Sequence, residues 1–146
     1  MDSVSYTALS PLSFLERSAR VWPDKVAVGY GARRLTYLEL AAEAQRGARA
    51  LRASGAGPGD RVAYLMPNLP EMLIAHYAVP LAGAVLVAVN TRLTAEEVAY
   101  ILGHSGAKIM VVDAALLPTA VAAVMDVEAV TELVVSPRRH SLLSFN

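Results

Sequence analysis

The sequence contains no cysteine, which excludes disulfides, thiolate metal ligands and a cysteine nucleophile. It has no surplus of either charge: thirteen Lys and Arg stand against thirteen Asp and Glu. No basic stripe runs through it with aromatics between, so nucleic-acid binding has no electrostatic support. Charge of any sign is scarce: 18% of residues are charged and 55% hydrophobic, against roughly 25% and about 45–50% in an average soluble chain. Either the elements are buried on both faces, or covering surface is missing. The three histidines, His76, His104 and His140, are too far apart for metal-ligand spacing. Before Arg17 the chain carries Asp2 and no basic residue, which is not a signal-peptide start; the cytoplasm is the default expectation.

One long stretch lacks charge altogether. Residues 72–91 hold no Asp, Glu, Lys or Arg, and about 20 apolar residues can cross a bilayer. His76, Pro80, Gly83 and Asn90 interrupt the stretch, and its pattern changes from helical over 72–82 to a short β-branched run over 84–89. A buried helix, turn and strand is therefore expected rather than a membrane span.

A local unit recurs along the chain. In Leu35-Thr36-Tyr37-Leu38-Glu39-Leu40, Thr36 caps the free N–H groups of a helix start and Glu39 reaches back, with Leu35 and Leu40 as a hydrophobic staple. Leu40, Ala44, Gly47, Ala48 and Leu51 follow at helical spacing, opposite Glu39, Glu43, Arg46 and Arg49. The helix should stop near Ser54, where Gly55, Gly57, Pro58 and Gly59 begin, and residues 61–66 read as a strand. The unit repeats with Asn68 as cap and Glu71 at the third position, a helix to about Ala82 that Pro80 should kink or close at Val79, and a strand over 85–89. It repeats again with Thr94 and Glu97, a helix to about His104 ended by Gly106, and a strand over 108–112. A last helix within 117–127 and a strand over 133–135 complete the pattern. Before these units, residues 12–21 read as an amphipathic helix starting at Ser10-Pro11, and residues 25–30 and 33–35 as a hairpin around Gly31-Ala32. Strands that are nearly continuous apolar runs, alternating with helices, argue for a parallel sheet covered on both faces. The expected division is a tail over 1–10, one α/β unit over 11–135 and an irregular tail over 136–146.

Four segments together resemble a known family. Leu35-Thr36-Tyr37-Leu38-Glu39-Leu40 and Leu81-Ala82-Gly83-Ala84-Val85-Leu86-Val87-Ala88-Val89-Asn90 look like the first two core motifs of the adenylate-forming, AMP-binding enzymes. Gly57-Pro58-Gly59-Asp60-Arg61-Val62-Ala63 and Pro67-Asn68-Leu69-Pro70-Glu71 are similar to the segments between them, in the same order. The resemblance implies a partial N-terminal subdomain of an acyl-CoA synthetase. It implies a reaction in which ATP activates a fatty or other carboxylic acid to an acyl-adenylate, and CoA then displaces AMP with Mg²⁺ assisting. ATP, Mg²⁺ and CoA belong to that whole enzyme; none is assigned to this stretch alone. The family's phosphate loop, rich in Ser, Thr and Gly and ending in Pro-Lys, and its catalytic lysine do not occur in these residues. Family members continue past a strand like 132–135 into more sheet, whereas this chain ends at Asn146 after Pro137-Arg138-Arg139-His140. A truncated or frameshifted synthetase, inactive alone, is the resulting expectation.

No catalytic, cofactor or metal residue is assigned. The run Gly55-Ala56-Gly57-Pro58-Gly59 follows a helix and precedes a strand, the reverse of a phosphate loop's order. Glu96 and Glu97 stand in a helix's first turn, where carboxylates cap and complement the dipole. His104 belongs to a helix C-terminus, Asp113 to the turn after a strand, and His140 to the solvated tail. The substrate-contact candidates are Asn90 and Arg92, at a strand's carboxyl end, and His76, expected in the core, at a subdomain interface or on an acyl tunnel. Two other readings are an interaction or scaffold module, pairing with itself or with a complete synthetase through exposed apolar surface, and a small independent ligand-binding α/β domain.

Overall fold

A computed structural model of the chain describes residues 10–125 and 127–136. Helix α1 (Pro11–Val21) opens with the Ser10 hydroxyl accepting from the Leu12 N–H at 3.3 Å, and Pro11 occupies the first turn, where no N–H is needed. Strands β1 (Val26–Tyr30) and β2 (Arg33–Thr36) form an antiparallel hairpin turning at Gly31. Helix α2 (Tyr37–Ala53) begins with the expected capping box: Glu39 N–H donates to Thr36 Oγ1 at 3.2 Å and Thr36 N–H to Glu39 Oε2 at 2.8 Å.

The remaining elements alternate: β3 (Arg61–Leu65), α3 (Pro70–Leu81), β4 (Val85–Val89), α4 (Ala95–Ser105), β5 (Ala107–Asp113), a 3₁₀ turn (Ala114–Leu116), α5 (Leu117–Val124) and β6 (Glu132–Ser136). The four strands form a parallel sheet in the order β4-β3-β5-β6. Strand alternation sends side chains to both faces. Val62, Tyr64, Ile109 and Val111 pack with Ala48, Leu51, Ala75 and Val79 of α2 and α3. Ala63, Leu65, Met110 and Val112 pack with Val98 and Leu102 of α4 and with Ala120 and Ala123 of α5. The excess of apolar residues is thus the composition of a sheet covered twice. A third, smaller cluster joins Leu15 of α1 to Leu40 and Ala44 of α2. Helices α2 and α3 approach closely: a Cβ on Gly47 would lie 2.9 Å from the Cβ of Ala78.

Two local expectations need correction. Leu69, not Asn68, is the N-cap of α3, without a side-chain bond, because Pro70 supplies the first helical φ one residue later. Pro80 does not close the helix at Val79: α3 runs on to Leu81, and the Arg52 guanidinium donates to the Leu81 and Ala82 carbonyls at its end. Helix α5, Leu117–Val124, lies within the expected 117–127. Residues 1–9 and 137–146, with His140 and most of both expected tails, lie outside the described residues. Among the described residues no helix is long and apolar enough to cross a membrane.

Candidate functional site

From β3 the chain crosses to β4 on one side and later returns to β5 on the other. This reversal leaves a crevice outside the carboxyl ends of β3 and β5, where open α/β sheets bind ligands. Two hollows open near these ends.

The first holds about 250 Å³ and is bordered by Arg33, Glu43, Tyr64, Met66, Glu71 and Ser136, among others. Arg33 Nη1 donates to Glu71 Oε1 at 2.6 Å, tying β2 to α3. Glu43 pairs with Arg46 one turn along α2. These charges cancel in pairs, so the hollow offers no net field to an anion. Tyr64 lies at the carboxyl half of β3, and burial pushes its phenol up to about 12. It therefore stays neutral, an uncharged hydrogen-bonding group on a mostly apolar wall.

The second hollow, about 580 Å³, lies between the hairpin and α3 and is lined by Val28, Tyr30, Leu69, Met72, His76 and Tyr77, among others. His76 is not in the core: it lies on the exposed side of α3, because Met72, Ala75, Ala78 and Val79 take the buried stripe. Its Nδ1 is 2.8 Å from the Met72 carbonyl. A carbonyl only accepts, so Nδ1 carries a proton and donates to it.

The other candidate residues are not gathered here. Asn90 and Arg92 are exposed after β4, and the Arg92 N–H donates to Asn90 Oδ1 at 3.0 Å, a local turn. Neither lines either hollow. Glu97 completes the capping box of α4 with Thr94, and Glu96 shares its first turn. His104 is in the last turn of α4, stacked on Tyr100 with ring centroids 5.7 Å apart. Asp113 is 1% exposed and accepts from the Ala115 N–H at 2.9 Å, so it starts the 3₁₀ turn.

The glycine run is closed by the protein's own groups. Gly57 N–H donates to Asp60 Oδ2 at 2.9 Å, and Gly59 N–H donates to the Gly83 carbonyl at 2.9 Å. Lys108 Nζ donates to the same carboxylate oxygen at 3.0 Å. The Gly57 bond first, and Lys108 second, hold the Asp60 carboxyl below its ordinary range. An internal carboxylate thus occupies the place an external phosphate would need. These residues do not fit a nucleotide phosphate. Among the described residues no group of three or more His, Asp or Glu could hold a metal ion.

Sequence reasoning missed Tyr64 and the Arg33–Glu71 pair. A lone phenol in the apolar strand Arg61-Val62-Ala63-Tyr64-Leu65 was a signal, since a two-sided buried strand has little reason to carry one. The ion pair joins residues 38 apart and leaves no local trace.

A family model described as AMP-binding enzyme matches residues 15–144. An acetate–CoA ligase of Humulus lupulus is 45% identical over 112 residues, 77% of this chain and 20% of that protein. A 4-hydroxybutyrate–CoA ligase of Metallosphaera sedula is 42% identical over 108 residues, 74% of this chain and 20% of its own length. Among solved structures, a Mycobacterium tuberculosis fatty acyl CoA synthetase superposes with a TM-score of 0.81 at 36% identity, covering 85% of this chain and 26% of that one. The chain spans about a fifth of the length of the curated relatives it matches, 20% for these two.

Proposed function

The chain belongs to the AMP-binding enzyme family, and from that membership we propose that it is the opening subdomain of an acid–CoA ligase, supplying scaffold rather than reacting groups. In the proposed whole reaction a carboxylate attacks ATP, giving an acyl-adenylate and pyrophosphate. The CoA thiol then displaces AMP. ATP, Mg²⁺ and CoA are the reactants and metal of that complete enzyme, and Mg²⁺ would neutralise phosphate charge there. The substrate is a carboxylic acid; the relatives' names extend from acetate to 4-hydroxybutyrate, so the acid's size is left open. The cytoplasm is the proposed compartment.

The observation that carries the scaffold reading is the closed glycine run. Its Gly57 and Gly59 amides are bonded to Asp60 and Gly83, so the densest cluster of backbone donors is not offered to a phosphate. The test is Mg²⁺-dependent ATP–pyrophosphate exchange by the purified chain with short to long carboxylic acids. The expected result is no exchange above a blank without protein. Exchange tied to one acid would overturn the reading.

Two other readings each have an observation in their favour. An interaction module, self-pairing or docking on a complete synthetase, is favoured by apolar side chains left outside, among them Val85 at 51% exposure. A small ligand-binding α/β domain is favoured by the hollow under Tyr64 at the reversal of strand order. Saturable binding of a small acid that shifts Tyr64 resonances, without exchange activity, would select the latter.

A further inference from the structure

The unused feature of the fold is the outer edge of β4. Among the described residues β4 has one strand neighbour, β3. The Val85 N–H donates to the Asp60 carbonyl at 2.7 Å, so Val85, Val87 and Val89 face β3 with their backbone groups. By alternation, Leu86 and Ala88 turn theirs outward. Exposed edges are usually blunted by a charge, a proline or a bulge. Val85-Leu86-Val87-Ala88-Val89 has no charge and no proline, and its register with β3 is unbroken. Val85 is 51% exposed. The opposite edge strand, β6, carries Glu132.

We propose that β4 pairs antiparallel with β4 of a second copy of this chain, about a two-fold axis at Val87. The strand is self-complementary in that register. Leu86 meets Ala88 of the other copy, and both are outward-facing, so about four inter-chain backbone hydrogen bonds form. Val87 meets Val87, and Val85 meets Val89, which aligns β-branched side chains on the face shared with α4. The only charged side chain within five residues of either end of the strand is Arg92. It falls opposite Ala82 of the other copy, so no like charges are opposed. The two four-stranded sheets become one continuous sheet, through an isologous contact that closes on itself. The buried area is in the small class, under about 1,200 Å², so the dimer fills reversibly with concentration. The proposal stands apart from the ligase reading, since the exchange assay does not bear on it.

The test uses the full chain, whose lack of native cysteine makes engineered cross-links unambiguous. Sedimentation across a concentration series should show monomer and dimer. Val87→Cys should oxidise to a covalent dimer at least about tenfold faster than Val85→Cys, because only position 87 meets itself within disulfide reach. Ala88→Pro removes an N–H that β3 does not use, so circular dichroism should be unchanged while dimerisation weakens at least about tenfold. A chain that stays monomeric to its solubility limit overturns the proposal. So does a dimer that survives Ala88→Pro, or equal cross-linking at 85 and 87, either of which places the contact elsewhere. Leu86 and Ala88 amides already slow to exchange in dilute monomer would also overturn it, since another part of the chain then covers the edge.

Discussion

The two ends of the parallel sheet use their polar residues differently. At the amino ends, side chains bond mainly to backbone, with Ser54–Glu132 and Lys108–Asp60 as side-chain pairs beside them. Arg61 donates to the Ser105 carbonyl at 2.6 Å, to Gly106 at 2.9 Å and to Gly59 at 3.1 Å. Arg52 closes α3, Asp60 closes the glycine run, and Ser54 donates to Glu132 at 2.9 Å. At the carboxyl ends, Arg33, Glu71 and Tyr64 border open space, and Arg33 and Glu71 bond side chain to side chain. Bonds to fixed carbonyls leave nothing to exchange for a ligand. A side-chain pair around a hollow can be re-partnered. The amino end is thus the structural end and the carboxyl end the adaptable one.

That contrast can be broken by stability measurements. The largest effect is expected from Gly106→Ala. Gly106 has φ 63°, and an added Cβ would fall 2.6 Å from Arg61 Nη2, so the left-handed strain and the displaced guanidinium together should lower urea-unfolding stability by about 2–3 kcal/mol. At the other end, Glu71→Gln should cost about 1 kcal/mol or less, and less again in high salt, since both partners are 29% exposed. Equal losses at the two sites would erase the distinction.

Tyr64 sharpens the comparison with the smallest effect at neutral pH. Its phenol titrates near 10.0 when unfolded and at about 12 when folded. A folded value above the unfolded one means that its contribution is complete below about pH 10 and lost as pH rises towards about 12. Tyr64→Phe should be within about 0.5 kcal/mol of the parent at pH 7, and should lose less stability between those two pH values. Absorbance titration should show a late-ionising phenol in the parent that the Tyr64→Phe variant lacks. Identical alkaline profiles would mean that Tyr64 is hydrated and the hollow open to water.

Legibility in the sequence followed distance along the chain. The boxes at Thr36–Glu39 and Thr94–Glu97 span four residues, and both helices start where those residues place them. Ser10-Pro11 and Gly106 were equally readable as a start and a stop. The strand runs were legible because a sheet covered on both faces demands apolar side chains at successive positions. Asn68 misled because an Asx residue three before a glutamate mimics a cap, while Pro70 moved the start and Glu71 turned to Arg33. His76 misled because α3 is apolar enough to suggest burial all round, although one side of it faces a hollow.

By itself, then, the sequence determined the elements, their alternation, the doubly covered parallel sheet and the family motifs, because capping, turn chemistry and hydrophobic period act over a few residues. Only the tertiary structure decided what surrounds the hollows and which distant charges pair. Arg33 with Glu71 and Asp60 with Lys108 are 38 and 48 residues apart, and the strand order that sets β3 beside β5 and leaves β4 at an edge is decided by packing between elements.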